Sequence, residues 1–249
     1  MIPKVIHYCW FGKGKLPESA ELCIRSWKKY CPDYEIKRWD ESNFDINCSK
    51  FVSQAYDSRK YAFVADYARF EILKKNGGIY VDTDVELIKP IDEFLNDKAF
   101  MGFEKASGKV TGVAPGLIMA SEPNAEFLSD ILNIYKNMEF YNENKERIAK
   151  SVVEYTTSYL EQYGLKKDDL KQVIRDVVIY PSDYFCPKDF ETGKTNITDE
   201  TVSIHHYDST WWSKRVLMYK KLTSKYGEKK GKILYRIVRI VTPGLWTDK

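Results

Sequence analysis

A mixed α/β fold class follows from three features of the sequence. The first forty residues read as strand, helix, strand, and residues 62–87 read as a helix that runs through Gly77-Gly78 into an alternating strand. The 249 residues are 43% hydrophobic, 14% aromatic and 30% charged, the composition of a globular chain. At this length roughly 70–75% of the unfolded surface is hidden on folding, so one domain buries a core without cross-links.

Residues 2–10 form a β-rich run (Val5, Ile6, His7, Tyr8) ended by Phe11-Gly12-Lys13-Gly14. Residues 17–29 read as a helix with Leu22, Ile24 or Arg25, and Trp27 toward the core, and Tyr34 to Trp39 alternate as a second strand. Together they make a β-α-β unit, the start of a nucleotide-binding type of sheet. Residues 62–75 read as a helix that carries three alanines with Arg69, Glu71 and Leu73, and Lys74-Lys75-Asn76-Gly77-Gly78 supplies the cations and glycine of a helix end. In the following strand, Ile79, Val81, Thr83, Val85 and Leu87 alternate with Tyr80, Asp82, Asp84 and Glu86 until Pro90. Residues 111–124, with Gly112, Pro115 and Gly116, read as a loop near a bound substrate. Helices are predicted over 125–137 and 145–162, strands over 177–180 and 201–207, and a basic amphipathic helix over 217–241, broken at Gly227 or Gly231.

The net charge of +3 hides an asymmetry. Residues 213–249 carry eleven Lys or Arg against two acids, and residues 1–212 carry 28 against 34. A body over 1–212 and a basic segment over 213–249 are the expected division. Lysines and arginines that alternate with Val216, Leu217, Tyr219, Leu222, Ile233, Leu234, Ile237 and Val238 suit an anionic membrane surface. Nucleic acid is not an expected partner, because the body is net acidic and carries no recognised RNA- or DNA-binding motif. Mean hydropathy is −0.48 and no apolar run approaches membrane-spanning length. With no leader pattern at the N-terminus, a cytoplasmic protein is expected, peripheral at the inner face of the membrane. Five cysteines without a C-x-x-C pair read as reduced thiols.

Asp82-Thr83-Asp84 places two carboxylates two residues apart, and acids are poor strand formers in so apolar a run. Mg²⁺ or Mn²⁺ takes one or two such carboxylates and completes its shell with phosphate oxygens and water. Asp66 and Arg69 share one helix face, where a carboxylate and a guanidinium fork suit sugar hydroxyls. The same pair could equally be an exposed ion pair contributing a few tenths of a kcal/mol.

Three segments carry a family resemblance: residues 2–12 (IPKVIHYCWFG), 61–69 (YAFVADYAR) and 77–85 (GGIYVDTDV). With HHYDSTW at 205–211, they resemble the sugar-binding DXD glycosyltransferases, glycosyltransferase family 32, which are distantly similar to clostridial glucosylating toxins. The resemblance implies a GT-A-like fold with a mixed central sheet. It implies a metal-dependent, retaining transfer from a nucleoside diphosphate sugar, with UDP ranked ahead of GDP, to a glycan or lipid-linked acceptor in capsular or exopolysaccharide synthesis. Trp10 matches the aromatic that stacks on the base, Asp66 and Arg69 the pair on the donor sugar, and Tyr80 a tyrosine near the ribose. Asp82 matches the acid on ribose and sugar, and Asp84 the direct ligand of Mn²⁺ or Mg²⁺. His206 falls at a third ligand, with His205 as the alternative, because adjacent strand residues face opposite ways. Ser209 and Trp211 fall at the donors to the leaving diphosphate, with Trp212 as the alternative to Trp211.

No second carboxylate is placed by spacing as a base or nucleophile, so front-face displacement is the expected chemistry. Two competing readings remain at this level. One is a nucleotidyl- or phosphotransferase that uses the same acidic site, and the other is a non-catalytic sugar- or nucleic-acid-binding protein.

Overall fold

A computed structural model describes residues 1–144, 146–208, 218–219, 222–223 and 226–241. The chain divides into two compact units, Met1–His206 and Tyr207–Lys249.

The first unit begins as its hydrophobic pattern dictates: β1 (Val5–Cys9), α1 (Glu18–Tyr30) and β2 (Glu35–Trp39), with β2 parallel to β1. Helix α1 buries Ala20, Cys23 and Trp27, and Leu22 is 55% exposed, contrary to its expected place in the core. Trp27 sets the inward stripe, and Leu22 lies about 100° round the helix from Cys23. Next come α2 (Lys50–Asp57), which the sequence reading missed, and α3 (Tyr61–Asn76). Helix α3 buries Phe63, Val64, Tyr67, Ala68, Arg69, Phe70, Ile72 and Leu73, so it is enclosed on nearly every side. That enclosure explains why it lacks a clean polar face.

After α3 the chain turns at Gly77 and Gly78, with φ of +64° and +95°. A Cβ on Gly78 would lie 2.7 Å from the Val5 carbonyl oxygen, so glycine is demanded twice here, by dihedral and by space.

The single strand expected over 79–87 is two strands, β3 (Gly78–Tyr80) and β4 (Val85–Leu87). Between them Val81 donates to His7 O, Asp82 donates to Gly116 O, and Val85 donates back to Asp82 O, which closes a turn. Strand β3 pairs parallel with β1, whereas β4 leaves for a separate two-stranded sheet. Trp27 Nε1 donates to Val85 O at 2.7 Å and Ser26 Oγ accepts from Leu87 N at 2.9 Å, which ties β4 to α1. The two aspartates therefore sit where the chain crosses between sheets.

The remaining elements of this unit are a 3₁₀ helix (Asp92–Asn96), β5 (Ala99–Ala106), β6 (Lys109–Val113), β7 (Met119–Ser121), α4 (Glu126–Lys136), α5 (Val152–Glu161), β8 (Gln172–Ile174), β9 (Val177–Tyr180), α6 (Ser182–Phe185) and β10 (Ser203–His205). The central sheet runs β2-β1-β3-β7-β5-β9-β8, with β6 on β5, and it mixes parallel with antiparallel pairs. This is the mixed α/β fold that the sequence predicts. Its β5, β6, β7 and β8 fall where only a loop or nothing was read, because short buried strands carry little alternation. Helix α5 starts at Val152 rather than Lys145, since Ser151 and Glu154 form a reciprocal capping box there. The strand expected over 201–207 shortens to β10, which pairs antiparallel with β4 and sets His205 opposite Val85.

In the second unit, α7 (Glu228–Val241) follows Gly227, whose φ is +77°. Of the two glycines expected to break the basic helix, Gly227 precedes α7 and Gly231 lies within it.

Candidate active site

Strand β1 delivers Trp10 to the end of the parallel strands. Its half-buried indole donates to Gly14 O at 2.9 Å. Helix α3 supplies Asp66 and Arg69 on one face, as their spacing predicts, and the pair is not exposed. The Arg69 side chain is 3% exposed.

Arg69 Nε donates to Ala65 O at 3.1 Å, and Nη2 donates to Asp66 Oδ1 at 2.8 Å and to Asp82 Oδ1 at 3.3 Å. The guanidinium lies 4.8 Å from the centre of the Tyr80 ring, and the Tyr80 hydroxyl donates to Asp82 Oδ1 at 3.0 Å. Asp66, Arg69, Tyr80 and Asp82 thus form one network. Among the described residues, the buried Nη1 of Arg69 has no hydrogen-bond partner. A free donor on a buried guanidinium is costly unless a ligand takes it.

The crossing between β3 and β4 brings Asp82 and Asp84 to His205 of β10. One ligand atom from each lies within 4.8 Å of the others. His205 Nε2 is 3.0 Å from Asp84 Oδ1, and His206 Nε2 instead lies 2.8 Å from Glu86 Oε2. Adjacent residues His205 and His206 face opposite ways, and Asp84 reaches His205 from the turn that precedes β4, whereas Glu86 lies within that strand and meets His206. The geometry therefore favours the residue that the sequence reading held as the alternative. Two carboxylates with one imidazole fit a divalent ion that accepts oxygen and nitrogen donors, such as Mn²⁺, and leave coordination positions for phosphate.

Burial raises the proton affinity of several groups here. It pushes the Asp66 carboxyl up to about 7, against the pull of Arg69 and with the push of Asp82. Asp82 is raised by burial and held down in part by Arg69. Burial works against a charged His205, but the neighbouring carboxylates, Asp84 first and then Asp82 and Glu104, together raise its affinity for a proton. A bound cation would reverse that preference, since an ion and a proton compete for the same imidazole nitrogen.

Gly116, in this neighbourhood, escaped the sequence reading. A Cβ on Gly116 would lie 2.1 Å from Asp82 Oδ2 and 3.1 Å from Arg69 Nη1. The Pro115-Gly116 pair within the turn-rich segment was its only signal. Ser209, Trp211 and Trp212 lie outside the described residues.

A mixed sheet that holds an acidic and histidine cluster beside a buried Asp–Arg pair defines the class: an α/β protein with a group of side chains suited to a divalent cation. The chain belongs to the capsular polysaccharide synthesis protein family, whose profile matches residues 1–208. It is 28% identical over 218 residues to an uncharacterized glycosyltransferase of Acanthamoeba polyphaga mimivirus, covering 84% of each chain. It is 37% identical over 123 residues to inositol phosphoceramide mannosyltransferase 3 of Schizosaccharomyces pombe, covering 46% of this chain and 34% of that protein. Glycosyltransferases are thus among its homologues, and the chain spans about a third of the fission-yeast relative. Among solved structures, the PaToxG glycosyltransferase matches with a TM-score of 0.48 at 22% identity, covering 65% of this chain and 69% of that one. The galactosyltransferase LgtC matches with a TM-score of 0.39 at 12% identity, covering 94% and 95%.

Proposed function

We propose that this protein is a metal-dependent, retaining glycosyltransferase of the GT-A, family 32 type. It transfers a sugar from a nucleoside diphosphate sugar, UDP ahead of GDP, to a glycan or lipid-linked acceptor in surface polysaccharide synthesis. The observation that carries this reading is the convergence of Asp82, Asp84 and His205 within 4.8 Å, next to a buried guanidinium with a free donor.

Cleavage of an anomeric carbon–diphosphate bond builds negative charge on the diphosphate. Asp84, His205 and Asp82 would hold Mn²⁺ or Mg²⁺, which would supply positive charge to stabilise it. Arg69 Nη1 and Asp66 take donor-sugar hydroxyls, and Tyr80 and Arg69 fix Asp82 through its Oδ1. Trp10 offers an aromatic face to the base, and Ser209 and Trp211 are assigned to the diphosphate. The acceptor hydroxyl attacks from the face that the diphosphate leaves, and its proton passes to the departing phosphate oxygen. The protein works in the cytoplasm at the inner membrane face, with α7 as its contact.

The test is a donor screen. The wild-type protein with Mn²⁺ or Mg²⁺ is expected to release nucleoside diphosphate from one sugar nucleotide of a UDP and GDP panel. Asp84→Ala is expected to slow release by at least about 10². Release of pyrophosphate instead would make the protein a nucleotidyltransferase. Absence of both release and calorimetric binding would move the reading to a non-catalytic protein.

A further inference from the structure

The parallel register sets His7 opposite Tyr80, so Trp10, three residues on, leaves the central sheet at the end where Asp82 and Asp84 follow β3. The loop it opens, residues 10–14, is held on several sides. Trp10 N donates to Trp39 O at 2.9 Å, and the Trp10 indole donates to Gly14 O at 2.9 Å. Phe11 is buried, with its ring edge-on to Phe44 and the centres 5.7 Å apart. Gly12 N donates to Glu41 Oε1 at 2.6 Å. Gly12 and Lys13 follow one another with φ of +95° and +59°. Such a conformation persists where the surroundings over-determine it.

Glu41 lies two residues past β2, and the same Oε1 accepts from the Tyr56 hydroxyl of α2 at 2.9 Å. The Tyr56 ring meets the Tyr61 ring with 5.4 Å between centres. Tyr61 packs against Gly12 so closely that a Cβ there would lie 2.3 Å from Tyr61 Cε2. Tyr61 is also the first residue of α3, the helix that carries Asp66 and Arg69. One carboxylate oxygen therefore ties the Trp10 loop to α2 and, through two tyrosines, to the start of the helix that bears the Asp–Arg pair.

We propose that Glu41 is a positioning residue for the donor nucleotide: its Oε1 fixes Gly12 and so sets the Trp10 indole in the orientation in which a base stacks on it. This rests on the glycosyltransferase reading above, in which Trp10 offers its face to the base. Glu41 acts through the loop, by keeping it ordered before the nucleotide arrives, so that binding does not have to order it. A base stacks alike in the ground state and during transfer, so the effect falls on nucleotide affinity and donor KM rather than on kcat.

The experiment compares wild type with Glu41→Ala, Glu41→Gln, Tyr56→Phe, Trp10→Ala and the double variant Trp10→Ala with Glu41→Ala. Calorimetric affinity for UDP and GDP with Mn²⁺ is measured, together with KM and kcat for the sugar nucleotide that the donor screen selects. Glu41→Ala is expected to weaken nucleotide affinity about tenfold and to raise donor KM by the same factor, with kcat within about threefold of wild type. Glu41→Gln keeps the accepting oxygen and is expected to restore affinity to within about threefold of wild type. Tyr56→Phe removes one of the two donors and is expected to lose about twofold to fivefold. Once Trp10 is alanine the loop has no ring to orient, so adding Glu41→Ala should cost less than about twofold more. Full affinity in Glu41→Ala would overturn the inference, as would a fall in kcat as large as the rise in KM. So would a Glu41→Gln as weak as Glu41→Ala, or a full tenfold loss on top of Trp10→Ala. If Glu41→Ala does not fold, Tyr56→Phe decides, alone and combined with Trp10→Ala, by whether its loss appears in KM and vanishes without the indole. A wild type that binds nucleotide, and keeps that affinity in Trp10→Ala, would overturn this inference and leave the transferase reading standing. A wild type that neither binds nor turns over any sugar nucleotide would instead defeat the glycosyltransferase reading, and this inference with it.

Discussion

Gly116 shows how little room the site leaves. Its carbonyl receives Asp82 N, and its Cα faces Asp82 Oδ2 so closely that a methyl group would collide at 2.1 Å. Gly116→Ala should therefore displace the Asp82 carboxylate and weaken nucleotide binding at least tenfold. The accompanying stability loss is about 1–3 kcal/mol, readable in a denaturant melt. Arg69 makes a complementary case. Its guanidinium serves two carboxylates and lies over the Tyr80 ring, which an ammonium cannot reproduce with its single charged centre. Arg69→Lys should cost at least about 10² in transfer rate even though charge is kept, and near-normal turnover would show that charge alone is what the site needs. That Arg69 and Asp66 share one helix face, and that Asp82 and Asp84 lie close together, was legible in the sequence from their spacing. The place of Gly116 was not, because it arises from a loop that brings a distant segment against Asp82. The choice between His205 and His206 also lay beyond sequence spacing, since it depends on the register of β10 against β4.

At the scale of elements, the β1–β3 pairing is fixed by a histidine and two glycines. His7 is 1% exposed, with Nε2 3.1 Å from Gly77 O and Nδ1 accepting from Trp39 Nε1 at 3.0 Å. That arrangement fits the neutral ring, with the proton on Nε2. Burial, together with the Lys37 charge, lowers its pKa from 6.5 to about 4, and the bond to Gly77 O only partly offsets this. The unfolded chain then takes up a proton below about pH 6.5 that the folded chain refuses until near pH 4. The contribution of His7 is full above that range and is lost as the pH falls through it, by about 1.4 kcal/mol per pH unit and about 3 kcal/mol in all. The stability gap between wild type and His7→Gln should shrink by that amount between pH 7 and pH 4, and a constant gap would refute the assignment. Gly78→Ala places a Cβ against the Val5 carbonyl at a positive φ, and should cost about 2–4 kcal/mol in the same melts. The helix-to-turn passage at Gly77-Gly78 was plain from sequence, since cations and glycines mark helix ends directly. The break of the following strand was hidden, because an apolar and acidic alternation looks the same whether or not the chain changes sheets midway.

At the scale of the whole molecule, the body and the basic segment invite different experiments. Ile233 and Ile237, one helical turn apart on α7, are 58% and 50% exposed, and Lys232 and Arg236 beside them are exposed as well. An apolar pair framed by cations suits an anionic bilayer. The full chain should therefore sediment with anionic liposomes at low salt, and Ile233→Glu with Ile237→Glu should abolish sedimentation without changing nucleotide affinity. Failure of the wild type to sediment would remove the membrane assignment. The fold class was readable from sequence because it depends on repeated local patterns, whereas the order of strands in the sheet is a property of the whole chain. The crossing from the central sheet to the small β4–β10 sheet has one more consequence. Asp84 and His205 stand 121 residues apart in sequence, so an ion bound between them would act as a long-range staple, closing most of the first unit into a single loop. Catalysis and folding would then draw on one binding free energy. At an ion concentration of 100 times Kd the gain is about 2.7 kcal/mol, so a chelator should lower the melting temperature of the wild type and leave that of Asp84→Ala unmoved.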